Sequence, residues 1–344
     1  MIKIRKQIRC ISIFSTFSGL FLSGCSGSGS KFPPVTDIEK FKQTQFAPTL
    51  ETSIERNKNV VYTPAFLYAW DKVRKITDCN RLAGPGNPAA VQLMDQSNSF
   101  NDALDSGSYK TLVSVKNAIV SAYASFNKQL PFSTQLEKLD GGIFFDGHKV
   151  KAFGMSSLED KYCSSTEVSY YSDDDHFILT LHPVDSLNEI ILVKGLPPIK
   201  SLGEAVKKTD VLIKRGNAED KIRSNLWKYV FGNDSDRYSI PVLNFDISKD
   251  YQNIEGQNIG CSLIRYRIDV ARQRTSFTLN ESGVVIKSVA IDSIEKLADT
   301  ALPIKSHPKH MDLNKPFYII IRQKAHKNPY FVMYVANEEL MAKL

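Results

Sequence analysis

Over its last third the chain is a succession of short runs rich in β-branched and aromatic residues, and these limit the fold more than any other feature. Residues 242–247, 262–270, 276–279, 284–291, 317–321 and 330–335 each read as a strand of ordinary length. Strands bury a face only by pairing into sheets, which excludes an all-helical or disordered chain. Further upstream, residues 112–115 and 119–126 alternate apolar with small polar residues, as a half-buried strand does. Two hairpins follow, 142–145 with 150–153 about Asp146-Gly147, and 168–171 with 177–181 about residues 172–175. Asp-Gly is a strong turn signal because glycine tolerates positive φ.

Helical spacing appears mainly early. Asp37 is a candidate N-cap for a helix over residues 37–46, with Ile38 and Phe41 on one face. A second helix is expected from Pro64 to about Ile76 through Ala65, Leu67, Trp70 and Val73, with Trp70 in the core. Residues 80–100, rich in Gly, Pro, Asn and Ser, read as loop, and residues 202–213 as a later helix. Helices early and strands late predict an α+β fold.

The formal charge of +7 is misleading as a guide to partners. Lys3, Arg5, Lys6 and Arg9 precede any acid, the first of which is Glu39, so the remaining chain carries 40 basic against 37 acidic residues. The apolar run Cys10 to Leu22 is too short for a permanent membrane span but suits a signal-peptide core. Its ending, Leu22-Ser23-Gly24-Cys25, resembles the lipobox of bacterial lipoproteins, which implies lipid attachment at Cys25. The expected organisation is a lipoprotein signal over residues 1–24, a flexible tether over 25–37, and one domain over 38–344. Loss of residues 1–24 lowers the charge from +7 to +3, so no nucleic-acid partner is expected. Localisation is expected at the bacterial cell envelope, held through the lipid. Ser26, where some lipoproteins retained at the inner membrane carry Asp, leans toward the outer membrane.

Enzymatic chemistry finds no foothold. GxSxG, HExxH, Walker and Rossmann patterns are absent, and no enzyme, cofactor or metal is expected. His307 and His310 have an HxxH spacing, but Pro308 between them argues for loop. Asp173-Asp174-Asp175-His176 offers oxygen ligands, yet consecutive side chains in a turn diverge, so a solvated turn is expected. Of the five cysteines, Cys79, Cys163 and Cys261 lie in the body, which allows one intramolecular disulfide and leaves one thiol.

Several segments, in order along the chain, resemble the serpins. Asn59-Val60-Val61-Tyr62-Thr63-Pro64 is similar to that family's Asn-Val-x-x-Ser-Pro, which ends a strand and starts a helix. Residues 179–183 are similar to its Leu-Leu-Pro and residues 240–245 to its Pro-Lys-Phe strand. Phe277-Thr278-Leu279-Asn280-Glu281-Ser282-Gly283 resembles the strand that runs into the reactive loop and ends in Glu-x-Gly. Residues 314–322, 329–332 and 335–337 resemble the strands after that loop. The resemblance implies helices around a large mixed central sheet, a C-terminal strand pair, an exposed loop, and a serine or cysteine protease as partner of a monomer. It also implies a mechanism, in which the cut loop inserts as an extra strand.

An inserting loop must be a competent strand. Val284, Ile286, Ser288 and Ala290 would face inward and Val285, Lys287, Val289 and Ile291 outward, with Glu281 and Gly283 as the hinge. The scissile bond falls near Leu297-Ala298 counted forward from the hinge, or near Lys305-Ser306 counted back from Pro316. The chain also departs from the family. Its hinge has bulky β-branched residues where small ones are usual, Gln273 stands where the family has a His, and Phe66 where it has a second Ser. The loop before Pro316 is several residues longer than usual, and the stretch from Asn59 to Lys116 is short, so peripheral helices and an edge strand are expected to be missing. Three functions fit: a membrane-anchored inhibitor, a non-inhibitory serpin-fold binding protein, or a structural envelope lipoprotein. Retention of Glu281 and Gly283 favours the first.

Overall fold

The computed structural model describes residues 32–344 except positions 106, 127, 164, 198, 223, 262–264 and 287–306. Cys25 and both candidate scissile bonds, Leu297-Ala298 and Lys305-Ser306, lie outside the described residues, as do positions 287–291 of the loop.

Strand β1 (Thr36–Asp37), at the end of the expected tether, already pairs in parallel with residues 247–248. Asp37 does cap a helix, accepting from the Glu39 N–H at 2.9 Å, but only the 3-10 turn Ile38–Lys40. The helix expected over 37–46 is replaced there by β2 (Thr44–Ala47), parallel to β3 (Asn59–Tyr62). The cause is remote: the Glu339 carboxylate accepts from Lys42 N–H at 2.8 Å, Gln43 N–H at 3.0 Å and the Thr44 hydroxyl at 2.7 Å, taking the donors a helix would use. Helix α1 (Ala65–Thr77) starts after Pro64 as expected and buries Phe66, Leu67, Trp70 and Val73. The expected loop over 80–100 contains helix α2 (Ala89–Gln96), whose Val91 and Met94 are buried at helical spacing behind Pro88. Asp95 on α2 accepts from Trp70 Nε1 at 3.1 Å, locking the two helices together.

The strands β4 (Tyr109–Lys116) and β5 (Ile119–Phe126) form a hairpin through Asn117 and Ala118, both at positive φ. Then come β6 (Lys128–Pro131), β7 (Glu137–Phe145) and β8 (His148–Met155), the last two turning at Asp146-Gly147. After the short helix α3 (Asp160–Cys163) follow β9 (Thr166–Asp173), β10 (His176–Leu181) and β11 (Asn188–Lys194). Helix α4 (Leu202–Glu219) is capped by the Ser201 hydroxyl and runs beyond its expected end. The remainder is β12 (Arg237–Pro241), β13 (Leu243–Asp250), β14 (Asn258–Ile259), β15 (Tyr266–Asn280), β16 (Gly283–Ile286), β17 (His310–Asp312), β18 (Phe317–Gln323) and β19 (Phe331–Val335).

These strands form three mixed sheets. One contains β1, β13, β15, β16 and β6, with β5, β4 and β14 attached; a second runs β2-β3-β19-β18-β11-β10-β9; a third runs β17-β12-β8-β7. The first is the large mixed sheet expected, and the second packs on its face: Phe277 of β15 stacks on Phe331 of β19 at 4.3 Å between centroids, and leans on Phe245 of β13 at 5.5 Å. The class is α+β as expected. A disulfide, Cys79–Cys261, joins the end of α1 to the segment before β15, and Cys163 is the free thiol among the described residues. Burial pushes that thiol's pKa up to about 11, so it is held as an unreactive thiol.

Candidate functional site

The site is the junction where β15 gives way to β16. The two runs that the sequence reading keeps apart are joined in one strand over Tyr266–Asn280, because the charged interruption at Arg272 and Arg274 faces outward and is paired across to β13; positions 262–264 lie outside the described residues. Arg272 meets Asp250 at 2.5 and 2.9 Å, and Arg274 meets Asp246 at 2.8 and 2.6 Å. Such two-pronged contacts are the strongest side-chain clamps available between strands. One edge of β15 is therefore fastened.

The other edge changes partner along its length. From Arg267 to Gln273 it runs parallel to β5, with Arg267 opposite Ile119 and Gln273 opposite Ala124. Above that, β16 is wedged between β15 and β6, antiparallel to both: Val285 lies opposite Thr278 on one side and Gln129 on the other. Val284 and Ile286 are fully buried and Val285 is half-buried, the alternation expected of these hinge residues.

The tight turn between the strands is pinned from outside. Phe132 N–H donates to the Ser282 carbonyl at 3.0 Å and Leu136 N–H to the Glu281 carbonyl at 2.9 Å, while Ser282 N–H donates to Asn280 Oδ1 at 2.9 Å. The Glu281 side chain reaches Lys138 at 3.2 Å and Gln135 at 3.3 Å. Gly283 has φ of +125°, and a Cβ there would sit 2.3 Å from the Leu130 carbonyl oxygen. Only glycine fits. Thus the two motif residues have distinct tasks, Glu281 holding the turn and Gly283 letting β16 lie against β6.

Under the seam, Gln273 is buried and fully engaged. Its Nε2 donates to Thr63 Oγ1 at 2.9 Å and Thr275 Oγ1 at 3.2 Å, and its Oε1 accepts from the Tyr251 hydroxyl at 2.9 Å. Phe66 packs on the Tyr251 ring at 4.8 Å, so both departures from the family pattern belong to one contact set. Burial pushes the Tyr251 pKa up, and with Gln273 carrying no titratable proton this polar bridge stays uncharged.

Beyond the undescribed stretch, His307 packs edge-on against Trp227 at 5.5 Å and His310 opens β17, so the two histidines go separate ways. The Asp173-to-His176 turn also splits its side chains. Asp173 meets His176, Asp174 accepts from Tyr171 and from His310 N–H, and Asp175 bridges Lys194 and Lys315, both at 2.8 Å. Those two ammonium groups hold the Asp175 carboxyl down at about 2. Its folded value lies below the unfolded value of about 3.9, so its stabilising contribution is present above about pH 4 and is lost as pH falls toward 2. The expected result is that Asp175→Asn flattens the loss of stability between pH 4 and 2, measured as urea midpoints. An unchanged acid slope would remove Asp175 from that role.

Two ion pairs were not legible beforehand. Lys309 and Asp236 form an ion pair with both side chains fully buried, Nζ to Oδ2 at 3.0 Å. Nothing local distinguishes either residue from a surface charge. Lys138 likewise gave no sign of its partnership with Glu281.

No protein-family model matches the chain, and no curated protein matches it. Among solved structures it is similar to Serpin48 of the insect Tenebrio molitor, at 15% identity and a TM-score of 0.32, covering 64% of this chain and 56% of that one. A serpin from the trematode Schistosoma haematobium matches at 14% identity and a TM-score of 0.35 over 64% and 56% of the two chains. Tengpin, a thermophilic serpin in its native state, matches at 13% and 0.33 over 66% and 58%. The match thus spans little more than half the length of each of these serpins. With scores this low, the likeness carries no weight for function, which has to come from the junction itself.

Proposed function

We propose that the protein is a serpin-like protease inhibitor, exported and anchored through a lipid on Cys25 at the cell envelope, on the outer membrane by the Ser26 criterion. The observation that carries this reading is the seating of Gly283–Ile286 between β15 and β6. In this reading β16 is the first part of an extra strand, and continuing its register indicates where the rest would go. Paired positions on β15 and β16 sum to 563, so residue 290 would meet Gln273 and residue 296 would meet Arg267. The parallel β15–β5 ladder would be exchanged for two antiparallel ones, which are the more stable kind per residue.

In the proposed reaction a protease nucleophile attacks a carbonyl in the loop, and an ester or thioester forms as the peptide bond breaks. The new amine leaves with the downstream segment. Sheet extension then carries the acylated protease away before water completes hydrolysis. The Cys79–Cys261 bridge supports export, since such bonds persist in oxidising compartments.

Incubation with a panel of serine and cysteine proteases is expected to give a denaturant-stable complex whose mass is the sum of the protease and the upstream fragment. A panel in which every protease cuts the loop and dissociates would rule this function out. Burial of the bulky Val284 and Ile286 favours one second reading, a non-inhibitory serpin-fold protein whose hinge has settled. In that case cleavage leaves no complex and an unchanged melting temperature.

A further inference from the structure

The short turn joining β4 to β5 fixes which way the outer strand presents its backbone. Asn117 and Ala118 both have positive φ, the type I′ geometry, so Lys116 and Ile119 face each other as a pair that exchanges both hydrogen bonds. Such pairs then alternate down the hairpin. Lys116, Ser114, Leu112 and Lys110 turn their N–H and C=O groups toward β5, while Val115, Val113, Thr111 and Tyr109 turn theirs away from it. Lys72 Nζ, reaching over from α1, donates to the Thr111 carbonyl at 3.5 Å, in keeping with that outward direction. Among the described residues no strand pairs with this outer edge.

An open edge of 8 residues is a template for another strand, and most proteins blunt theirs. Here Lys110 and Lys116 blunt only the ends, and apolar side chains flank the middle. On the face away from α1, Leu112 is 68% exposed, with Ile119 and Val270 on the strands behind it at 46% and 37%. On the α1 face, Ile76 is 50% exposed one turn beyond Lys72, and so on the side of the helix that looks over the edge.

We propose that β4 pairs edge to edge with β4 of a second copy of this chain, antiparallel about a two-fold axis, in place of the monomer that the resemblance implies. The strand is complementary to itself in one register. Centring the pair on Leu112 places Leu112 opposite its own copy, Lys110 opposite Ser114, Thr111 opposite Val113 and Tyr109 opposite Val115. Each outward-facing residue gains a backbone partner. Leu112 takes a position without mutual hydrogen bonds, where opposed Cα atoms are about 4.5 Å apart and side chains are closest. Moving the centre to Val113 sets Lys110 against Lys116, a like-charge pair. Moving it to Thr111 leaves Ser114, Val115 and Lys116 past the end of the partner strand. Charge and length therefore select the register in which Leu112 closes on itself.

Leu112 is exposed, so its substitution leaves the fold intact. Sedimentation of the detergent-solubilised full chain is expected to show a mass that doubles with rising concentration. Leu112→Lys, which sets lysine against lysine at the centre of the pair, is expected to weaken association at least roughly tenfold. Under mild oxidation Leu112→Cys is expected to cross-link at least about ten times more than Ser114→Cys, whose thiols the same register holds apart. Exchange of the Tyr109, Thr111, Val113 and Val115 amides is expected to slow as concentration rises. A wild-type chain that stays monomeric overturns the pairing, as does a dimer that Leu112→Lys leaves unchanged, or equal cross-linking of the two cysteine variants. Those amides protected at every dilution would also overturn it, because the edge would then be filled from within the same chain; protection appearing only on addition of another protein would give the edge to that partner instead.

Discussion

Gly283→Val is expected to expel the first residues of β16 from between β15 and β6. The backbone at φ of +125° resists any side chain, and the added Cβ would lie 2.3 Å from the Leu130 carbonyl oxygen and 2.7 Å from the Pro131 Cα. Neither neighbour is a flexible side-chain tip, so the segment has to leave. Expulsion exposes Val284 and Ile286, each worth about 1.5–3 kcal/mol of burial, and breaks the ladder on both edges. A total loss of about 3–6 kcal/mol follows. Hydrogen exchange is the direct measurement: amides of residues 128–130 and 284–286 should lose protection together while β13 keeps its own. Retained protection at 284–286 would mean that the junction accommodates a side chain and that Gly283 has another purpose.

Phe277→Ala is expected to cost about 3–5 kcal/mol, the usual range for deleting a fully buried aromatic ring. Phe277 stands between Phe331 of the second sheet and Phe245 of the neighbouring strand, so its loss leaves a cavity where the two large sheets meet. The same change at the exposed Phe144 should cost far less, since little surface is buried there. Chemical unfolding of both variants makes the comparison. Equal costs would show that the contact between sheets is not where the stability resides.

Much of this arrangement could be read from the residues themselves, where the signal was local. Asp146-Gly147 turned a hairpin, Pro64 opened a helix, and alternation placed Val284 and Ile286 inward. Other elements depended on partners far away in the chain. Residues 44–47 became a strand because Glu339 took the donors just before them, and helical spacing at Ile38 and Phe41 could not report that. Residues 266–280 looked broken because Arg272 and Arg274 interrupt the apolar pattern; Asp250 and Asp246 on the neighbouring strand make them an asset. The Gly- and Pro-rich stretch hid α2 because its two buried apolar side chains, Val91 and Met94, are too few to show a period. The turn at Glu281-Ser282-Gly283 was legible from its motif, whereas the Lys309–Asp236 pair joins residues 73 positions apart and had no pattern at all.

The direct turn of β4 into β5 through Asn117 and Ala118 bears on kinetics as well as on shape. The hairpin is a local unit whose contacts close a loop of a few residues, whereas its attachment to β15 joins Ile119 to Arg267, 148 positions away (267 minus 119). Contacts of short separation form early at little entropic cost, and those of long separation form late. The β15–β5 seam is therefore a boundary between folding units. Its opening is a partial unfolding event in which a hairpin undocks while remaining intact, which sets a lower barrier than dissolving strands one at a time. Pulse-labelled exchange during refolding is expected to show the hairpin protected before its seam with β15.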